Sequence, residues 1–274
     1  MALRINTNVA SVFSQKHLSR SQERLSQNFE HLSSGLRITK AADDAAGLAV
    51  SEQMRSQLSS LKQAMLNTND GISLVQTAES ALSEIAGNLM RMRQLAVQSA
   101  NGVLASQERG YINTEFAALQ TEIDRIANVT EFNGTALSNN TNTIVIQVGI
   151  GTVAANDQIP VVLQDANIAA LAINANDVTT EALARTAITA IDLALDSVNT
   201  SRASFGAAQN SLTSALHNLE SYTENLVAAE SRIRDVDFAA ETADMTRNNV
   251  FQQAGVAVLA QANSAPQAAL QLLQ

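Results

Sequence analysis

Three histidines and one pair of adjacent aspartates are the first candidates in this sequence for acid–base or metal chemistry. His17, His31 and His217 lack the close spacing that the ligands of a metal site usually have. Asp43 and Asp44 precede an apolar segment, and an aspartate in that position more often caps a helix than takes part in catalysis. The 274-residue chain contains no cysteine, which excludes a thiol nucleophile and a disulfide scaffold. The sequence therefore predicts no catalytic residue, no metal ligand and no cofactor.

Two further patterns have simple structural explanations. Asp192 and Asp196 lie four residues apart on a predicted helix and have no base or metal ligand near them in the sequence, so we expect a solvated helix face. Gly149 and Gly151 form a GxG sequence, but the rest of a dinucleotide fingerprint and the helix that follows it are absent. A hairpin turn is the simpler interpretation, and we do not expect an enzyme.

The net charge and its distribution limit the partners of the chain. The formal net charge of -9 disfavours general binding to nucleic acid, which needs clustered Lys and Arg. Residues 1–40 carry six Lys or Arg and two Glu, a balance of +4, whereas residues 235–274 carry four acidic residues and one Arg, a balance of -3. These opposite charges favour pairing of the two ends of the chain.

No segment is apolar enough to insert into a membrane, because no run of eighteen apolar residues is present. Arg4, Asn6, Thr7 and Asn8 interrupt the start of the chain, so it lacks the apolar core of a secretory signal. By these two tests alone the chain would remain in the cytoplasm, and an export route that uses another signal would escape them.

Apolar residues recur every seven positions near both ends of the chain, which is the pattern of helices that bury a seam against other helices. Small side chains, many leucines and only two prolines suit long, thin helical bundles. The N-terminal ladder consists of Leu18, Leu25 and Leu32, interleaved with Phe29 and Leu36. The C-terminal ladders consist of Phe205, Leu212, Leu219, Leu226 and Ile233, and of Ala208, Ala215, Tyr222, Ala229 and Val236.

Five helices follow from this periodicity and from the residues that begin and end them. Gly35 is the usual type of residue after a helix end, and Asp43 or Asp44 is suited to cap the next helix. That second helix would be roughly 80 Å long, and Thr68 and Glu79 interrupt its apolar seam. The predicted helices span residues 3–35, 45–100, 105–129, 180–236 and 240–274, with a break at Asn101-Gly102.

The middle of the chain predicts a β-hairpin instead of a further helix. Isoleucine and valine alternate with other residues over 144–150, a second apolar run covers 159–163, and a loop rich in Gly, Asn and Asp separates them. Asn133-Gly134 supplies turn residues that stop the preceding helix. The predicted fold is mainly α: a coiled-coil bundle of long helices from the N- and C-terminal segments, with a small β-hairpin insert in the middle.

The last predicted helix is apolar around most of its circumference between Ala254 and Ala260. A helix of this kind must be buried on every side, and in such a thin bundle only other copies of the chain could bury it. The sequence alone therefore favours a protein that assembles with itself over a soluble signalling hairpin or a helical enzyme.

Several segments make the sequence resemble the bacterial flagellins, the subunits of the flagellar filament. They occur in the family's order and together cover about residues 1–135 and 185–274, whereas the middle, which varies among flagellins, shows no match. The segments are residues 1–11, which begin with Met-Ala-Leu-Arg-Ile-Asn-Thr-Asn, residues 32–49, which begin with Leu-Ser-Ser-Gly-Leu-Arg-Ile-Thr-Lys, and residues 69–79, 93–102, 231–241 and 258–263.

The resemblance implies three regions and a short member of the family. Paired terminal helices, residues 1–40 and 236–274, would form an inner domain that is disordered in the free monomer and folds on assembly. Residues 41–137 and 181–235 would form a rod-like helical bundle, and residues 138–180 would form a variable β-hairpin region. The large outer domains of longer flagellins would be missing.

The resemblance also implies the function and the partners. The chain would assemble head-to-tail into the extracellular filament of the bacterial flagellum for swimming motility, after export through the flagellar type III apparatus with a secretion chaperone. Hook-associated junction and cap proteins would be further partners, with no nucleic acid and no membrane insertion. The alternative is a hook–filament junction protein of the same flagellum. The expected filament-assembly residues are Leu18, Leu25, Phe29, Leu32, Val250, Phe251, Val258 and Leu259.

A contact with a host innate immune receptor is a further expectation from the resemblance. Arg91, Leu95 and Glu115 match the main contact positions of the family, whereas Gln94 stands where the family commonly has glutamate. The same residues could instead serve only subunit packing, and the two roles are compatible.

Overall fold

The computed structural model describes residues 7–271, with side chains described for residues 7–264. Its elements confirm a mainly helical fold with a small β-hairpin in the middle of the sequence. The helices are α1 Val9–Ser34, α2 Ala45–Ser99, α3 Ser106–Val129, α4 Ala154–Asp157, α5 Glu181–Arg234 and α6 Phe238–Gln271. The strands are β1 Glu131–Phe132, β2 Thr135–Ala136, β3 Thr143–Gln147 and β4 Gln158–Val162.

Helix α1 begins and ends at residues with suitable backbone chemistry. The Asn8 side chain accepts a hydrogen bond from the Ser11 N–H at 3.1 Å, so the helix begins at Val9. The first residues of the predicted helix, 3–6, lie outside the described part of the chain. Gly35 ends α1 in the left-handed conformation with a φ of 72°, as expected for the residue after a helix end.

The two adjacent aspartates cap different pieces of backbone. Asp44 begins α2 by accepting hydrogen bonds from the N–H groups of Ala46 and Gly47 at 3.1 and 2.9 Å. Asp43 accepts from the N–H groups of Thr39 and Lys40 at 3.0 and 2.9 Å and closes the turn of the connector. The Lys40 N–H and then the Thr39 N–H hold the pKa of Asp43 below its ordinary value. The expected capping role therefore explains this pair of carboxylates.

The chain divides into two compact units. The terminal unit consists of Met1–Leu58 and Glu224–Gln274, and the central unit is the continuous segment Ser59–Thr223. The division into three regions that the sequence suggested stays a prediction.

The α2 seam and the first ladder of α5 supply much of the hydrophobic core of the central unit, together with α3 and the β3–β4 hairpin. Thr68, which interrupts the α2 seam, is buried, and its hydroxyl donates to the Ala64 carbonyl at 2.7 Å. This bond explains why a polar side chain is tolerated there. Buried seam residues of α2 are Leu61, Val75, Leu82, Leu89 and Ala96, and those of α5 include Phe205, Leu212 and Leu219.

Side chains of α3 hold the irregular segment that precedes α5. Gln120 Nε2 donates to the carbonyls of Ile173 and Asn176 at 2.6 and 3.0 Å, and Asn113 Oδ1 accepts from the Val178 N–H at 3.0 Å. These bonds satisfy backbone groups that have no strand or helix partner. These bonds could not be predicted from the periodicity of the chain.

The predicted hairpin is formed by β3 and β4, which pair antiparallel with Val145 opposite Pro160. Strand β3 ends at Gln147, earlier than the alternation to residue 150 suggested, because the glycine-rich loop folds onto Asp157. The Asp157 carboxylate accepts from the N–H groups of Gly151 and Val153 at 3.1 and 3.0 Å. The GxG sequence is thus part of a hairpin loop, as interpreted from the sequence.

A second, smaller hairpin follows α3. Strands β1 and β2 pair across Asn133 and Gly134, whose φ values are 49° and 77°. Two consecutive positive φ values are those of a type I′ turn, which matches the twist of the flanking strands. The sequence predicted the turn but not the two strands.

Candidate assembly surface

Helices α1 and α6 pack against each other in the terminal unit. Asn8 Nδ2 donates to the Ala262 carbonyl at 2.8 Å, and the Val236 N–H donates to the Gly35 carbonyl at 3.0 Å. Because the beginning of α1 meets the end of α6, the two helices run antiparallel. The expected pairing of the two chain ends is therefore present within one copy of the chain.

A polar network occupies the centre of this helix pair. Asn248 Nδ2 donates to Asn28 Oδ1 at 2.8 Å, and Asn28 Nδ2 donates to Glu241 Oε1 at 2.6 Å. His31 Nδ1 lies 3.3 Å from the same carboxylate oxygen, and His31 Nε2 lies 3.9 Å from Asp43 Oδ2. Both asparagines are only 9% exposed. Directional bonds between buried groups are satisfied in one alignment of the helices, so the network can fix their register.

Sequence reasoning considered His31 for acid–base or metal chemistry and missed the two asparagines. The sequence did contain a signal for Asn28. This residue lies three positions after Leu25 and four before Leu32, and this spacing puts Asn28 itself in the seam. A buried asparagine at such a position costs stability and selects a register. Asn248 lies in a helix with weak periodicity and could be found only by its contact with Asn28.

The eight predicted assembly residues fall into two groups. Leu18, Leu25, Leu32 and Leu259 are half-buried in the terminal unit. Leu18 of α1 lies against Gly255 of α6: its Cδ1 is 3.5 Å from the point where a Cβ on Gly255 would stand. The side chains that remain largely exposed are Phe29 at 54%, Val250 at 56%, Phe251 at 54% and Val258 at 56%.

Three cavities follow one another along the α1–α6 pair. The largest, about 470 Å³, is lined by both asparagines of the network and shares Arg24 and Phe251 with a second of about 400 Å³. The second shares His17 and Gly255 with a third of about 250 Å³. The series forms a groove that is polar at one end and apolar at the other, where Phe13 and Val258 line it.

The Lys and Arg side chains of α1 do not form ion pairs with α6 in the described part of the chain, where His31 is the α1 residue that meets an α6 carboxylate. Within residues 7–264, Lys16, Arg20 and Arg24 are exposed, and none of them lies within 4.0 Å of a carboxylate of α6. Apolar contacts and the network of Asn28 and Asn248 hold the pair instead.

A short antiparallel bridge closes the other end of the terminal unit. Leu36 pairs with Asp235, and the Arg37 N–H donates to the Arg234 carbonyl at 2.7 Å. Arg234 Nη1 also donates to Glu52 Oε1 at 2.7 Å, and this hydrogen bond is the largest cause that lowers the pKa of Glu52. The bridge ties the connector after α1 to the end of α5, and the ion pair ties the first part of α2 to the same end of α5.

The candidate receptor residues lie in the central unit. Arg91 donates from Nε and Nη2 to Glu115 Oε1 at 2.8 and 2.7 Å, which joins α2 to α3, and both side chains are exposed. Gln94 Oε1 accepts a further bond from Arg91 Nη1 at 3.3 Å. Leu95 is only 2% exposed and belongs to the hydrophobic core, so its side chain does not contribute to this surface. The surface that the structure presents is formed by Arg91 and Glu115.

The described part of the chain shows neither a metal centre nor a membrane span. No group of three or more His, Asp or Glu side chains within it is arranged to hold a metal ion. None of the helices in residues 7–271 combines the length and the hydropathy needed to cross a bilayer.

Both ends of the chain match known families. The model of the bacterial flagellin N-terminal helical region matches residues 5–143, and that of the bacterial flagellin C-terminal helical region matches residues 188–273. The chain is 45% identical over 273 residues to a flagellin of Halalkalibacterium halodurans, with 98% of this chain and 99% of that protein covered. It is 42% identical over 309 residues to a flagellin of Bacillus subtilis, with 99% and 100% covered.

Solved structures show the same likeness. The crystal structure of Bacillus cereus flagellin matches with a TM-score of 0.51 and 34% identity, covering 60% of this chain and 94% of that one. A flagellar hook-associated protein from Vibrio parahaemolyticus matches with a TM-score of 0.61 and 16% identity, covering 70% and 100%. At 16% identity the second likeness is one of fold alone.

Proposed function

Because the chain belongs to the bacterial flagellin family, we propose that it is a structural subunit that polymerises into the helical filament of the bacterial flagellum and serves swimming motility. The observation that carries this function is that both flagellin helical regions match in one chain that covers nearly the full length of curated flagellins. The junction-protein alternative has no support, since the likeness to a hook-associated protein is limited to the fold. Flagellins are structural proteins, and we propose no catalytic activity.

The contact between subunits uses the exposed apolar side chains of the α1–α6 pair. Phe29, Val250, Phe251 and Val258 are each more than half exposed in a single copy. Exposed apolar side chains gathered on one helix pair are typical of a surface that another protein covers. The half-buried leucines of the same pair have a different role, which is to hold α1 against α6. A head-to-tail contact of this kind does not close on itself and generates a helical filament.

The terminal helices fold as a pair when a subunit joins the filament, so their ordering entropy is lost at that step. Before assembly, a secretion chaperone covers α6, and the chain leaves the cell through the flagellar type III export apparatus. The filament is extracellular, and hook-associated junction and cap proteins bind its ends. The support for these partners is family membership together with the exposed apolar residues of α6.

A host innate immune receptor contacts the exposed ion pair of Arg91 and Glu115. Both side chains are about half exposed, at 51% and 47%, and present opposite charges to a partner. Arg91→Asp would place two carboxylates side by side and repel the partner that wild-type Arg91 attracts. Unchanged receptor signalling by folded Arg91→Asp protein would exclude this contact.

Negative-stain electron microscopy after salting-out tests the filament function. We expect filaments from the full chain and none from a variant that lacks residues 240–274. Phe251→Asp adds a charge to an exposed apolar position of α6, and Gln253→Asp adds the same charge to an exposed polar position as the matched control. We expect Phe251→Asp to reduce filament formation far more than Gln253→Asp.

Two results would contradict the proposal in different ways. If the folded full chain forms no filaments, the subunit function is wrong. If the truncated chain forms filaments, or if the two aspartate variants behave alike, the function stands and the assembly surface lies elsewhere.

A further inference from the structure

We propose that Met90 is a modification site, at which a peroxide oxidises the thioether of this chain to methionine sulfoxide. Met90 is 54% exposed, whereas Met92, two residues along the same helix, is 0% exposed. The three other methionines with described side chains, Met54, Met65 and Met245, are half-buried. Among the methionines with described side chains, Met90 is therefore the most accessible, independently of the filament function.

Met90 lies on the solvent-facing side of α2, between two ion pairs that join α2 to neighbouring helices. Arg91 bonds Glu115 of α3, and Arg93 bonds Asp192 of α5 with Nε–Oδ1 and Nη2–Oδ2 distances of 2.7 and 3.3 Å. With a turn of about 100° per residue, the two arginines stand on opposite sides of Met90. Both guanidinium groups are directed to neighbouring helices, and the thioether between them is left open to solvent.

The surface along the helix axis is equally open around Met90. Gly87, one turn earlier, has no side chain, and apart from its chain neighbours and the backbone of its own helix no heavy atom lies within 4 Å of the point where its Cβ would stand. Val97, two turns later, is 50% exposed. A small oxidant can therefore reach the sulfur without opening of the helix or of the core.

The reaction is a two-electron oxygen transfer from hydrogen peroxide to sulfur. The sulfur lone pair attacks one peroxide oxygen, an S–O bond forms and the O–O bond breaks. A proton moves from the transferred oxygen to the departing one, so that the products are the sulfoxide and water. The sulfur is oxidised and the peroxide is reduced. An apolar side chain becomes polar and chiral, and methionine sulfoxide reductases reverse the change.

A time course of the folded full chain in hydrogen peroxide tests the proposal. Cleavage after Glu84 and Glu108 gives one peptide that contains both Met90 and Met92, and fragmentation between them assigns the added oxygen. We expect Met90 to be oxidised at least about tenfold faster than Met92 and faster than the three half-buried methionines, because access limits the rate. Circular dichroism at each time point verifies that the chain is still folded.

Two controls separate the effect of the fold from that of local sequence. In guanidinium chloride the rates at Met90 and Met92 should become equal, and a folded Met90→Leu variant should gain no oxygen in this peptide over the same time. The proposal is overturned if Met92 or a half-buried methionine reacts as fast as Met90 in the folded chain. It is equally overturned if the preference for Met90 persists after denaturation.

Discussion

Replacing Asn248 by leucine should weaken the pairing of α1 and α6, and should do so only while Asn28 is present. Asn248→Leu removes the donor of the 2.8 Å bond and leaves Asn28 Oδ1 without a partner at a side chain that is 9% exposed. An unpaired buried acceptor costs about 1–3 kcal/mol. Both asparagines line a cavity of about 470 Å³, which is roomy enough for a water molecule near the orphaned oxygen. We therefore expect the lower part of this range, about 1–2 kcal/mol.

In the Asn28→Leu background the same change should cost little or be favourable. Both partners of the hydrogen bond are then replaced by apolar side chains of similar size, and no buried polar group is stranded. Asn28→Leu itself carries a separate cost, because Glu241 loses its 2.6 Å donor. The difference between the two backgrounds is the coupling energy of the asparagine pair, and we expect it to be at least about 1–2 kcal/mol.

Filament assembly provides the assay, because pairing that occurs on assembly changes the critical monomer concentration. A loss of 1–2 kcal/mol raises this concentration by a factor of about 5–30. Sedimentation of filaments at a series of total concentrations measures it, and Asn263→Leu, at an exposed position of α6, is the matched control. If the helices are already paired in the free monomer, the loss appears instead as a lower melting temperature of the monomer. Equal effects of Asn248→Leu in both backgrounds, in both assays, would refute the reasoning.

Three further predictions concern the central unit. Gly87→Ala should raise the urea unfolding free energy by about 0.5–1 kcal/mol, because the position is helical and a Cβ there meets open space. Gly149→Ala should lower the same free energy by about 1–3 kcal/mol, because the new Cβ would overlap the Asp157 carboxylate, and an unchanged value would contradict the described loop. The hydrogen bonds from Arg93 hold the pKa of Asp192 below its ordinary value of 3.8, so the stability from this pair is fully present above that pH and is lost as the pH falls below it. Thermal melts in acid should therefore show a smaller loss of stability for Asp192→Asn than for the wild type.

Local signals in the sequence were sufficient to predict most of the secondary structure. Gly35 and Asp44 act on the backbone within a few residues of themselves, so the end of α1 and the start of α2 could be located without knowledge of the fold. The β3–β4 hairpin was equally visible from alternation of apolar residues. The register of the hairpin, and the early end of β3, depend on how the loop folds around Asp157 and could not be predicted.

Contacts between distant residues account for what the sequence did not show. Asp192 lies on a solvated face as expected, with its side chain 47% exposed, but its pairing with Arg93 across a separation of 99 residues could not be predicted. Leu95 was identified from a matching position in a family, but its burial depends on packing among several helices. The Asn28–Asn248 bond joins residues that are 220 apart. Spacing along one helix carries no information about such partners.

The terminal unit is built from the first and the last parts of the chain, Met1–Leu58 and Glu224–Gln274. During synthesis from the N-terminus, Ser59–Thr223 can form its local contacts before α6, the helix that packs against α1, has been synthesised. A ribosome that stops early releases a chain in which α1 remains single. Completion of translation is thus a precondition for building the α1–α6 surface, so defective short products are kept out of any assembly that depends on it. Because α1 and α6 lie far apart in the sequence, only a chain long enough to include both helices can form the α1–α6 surface.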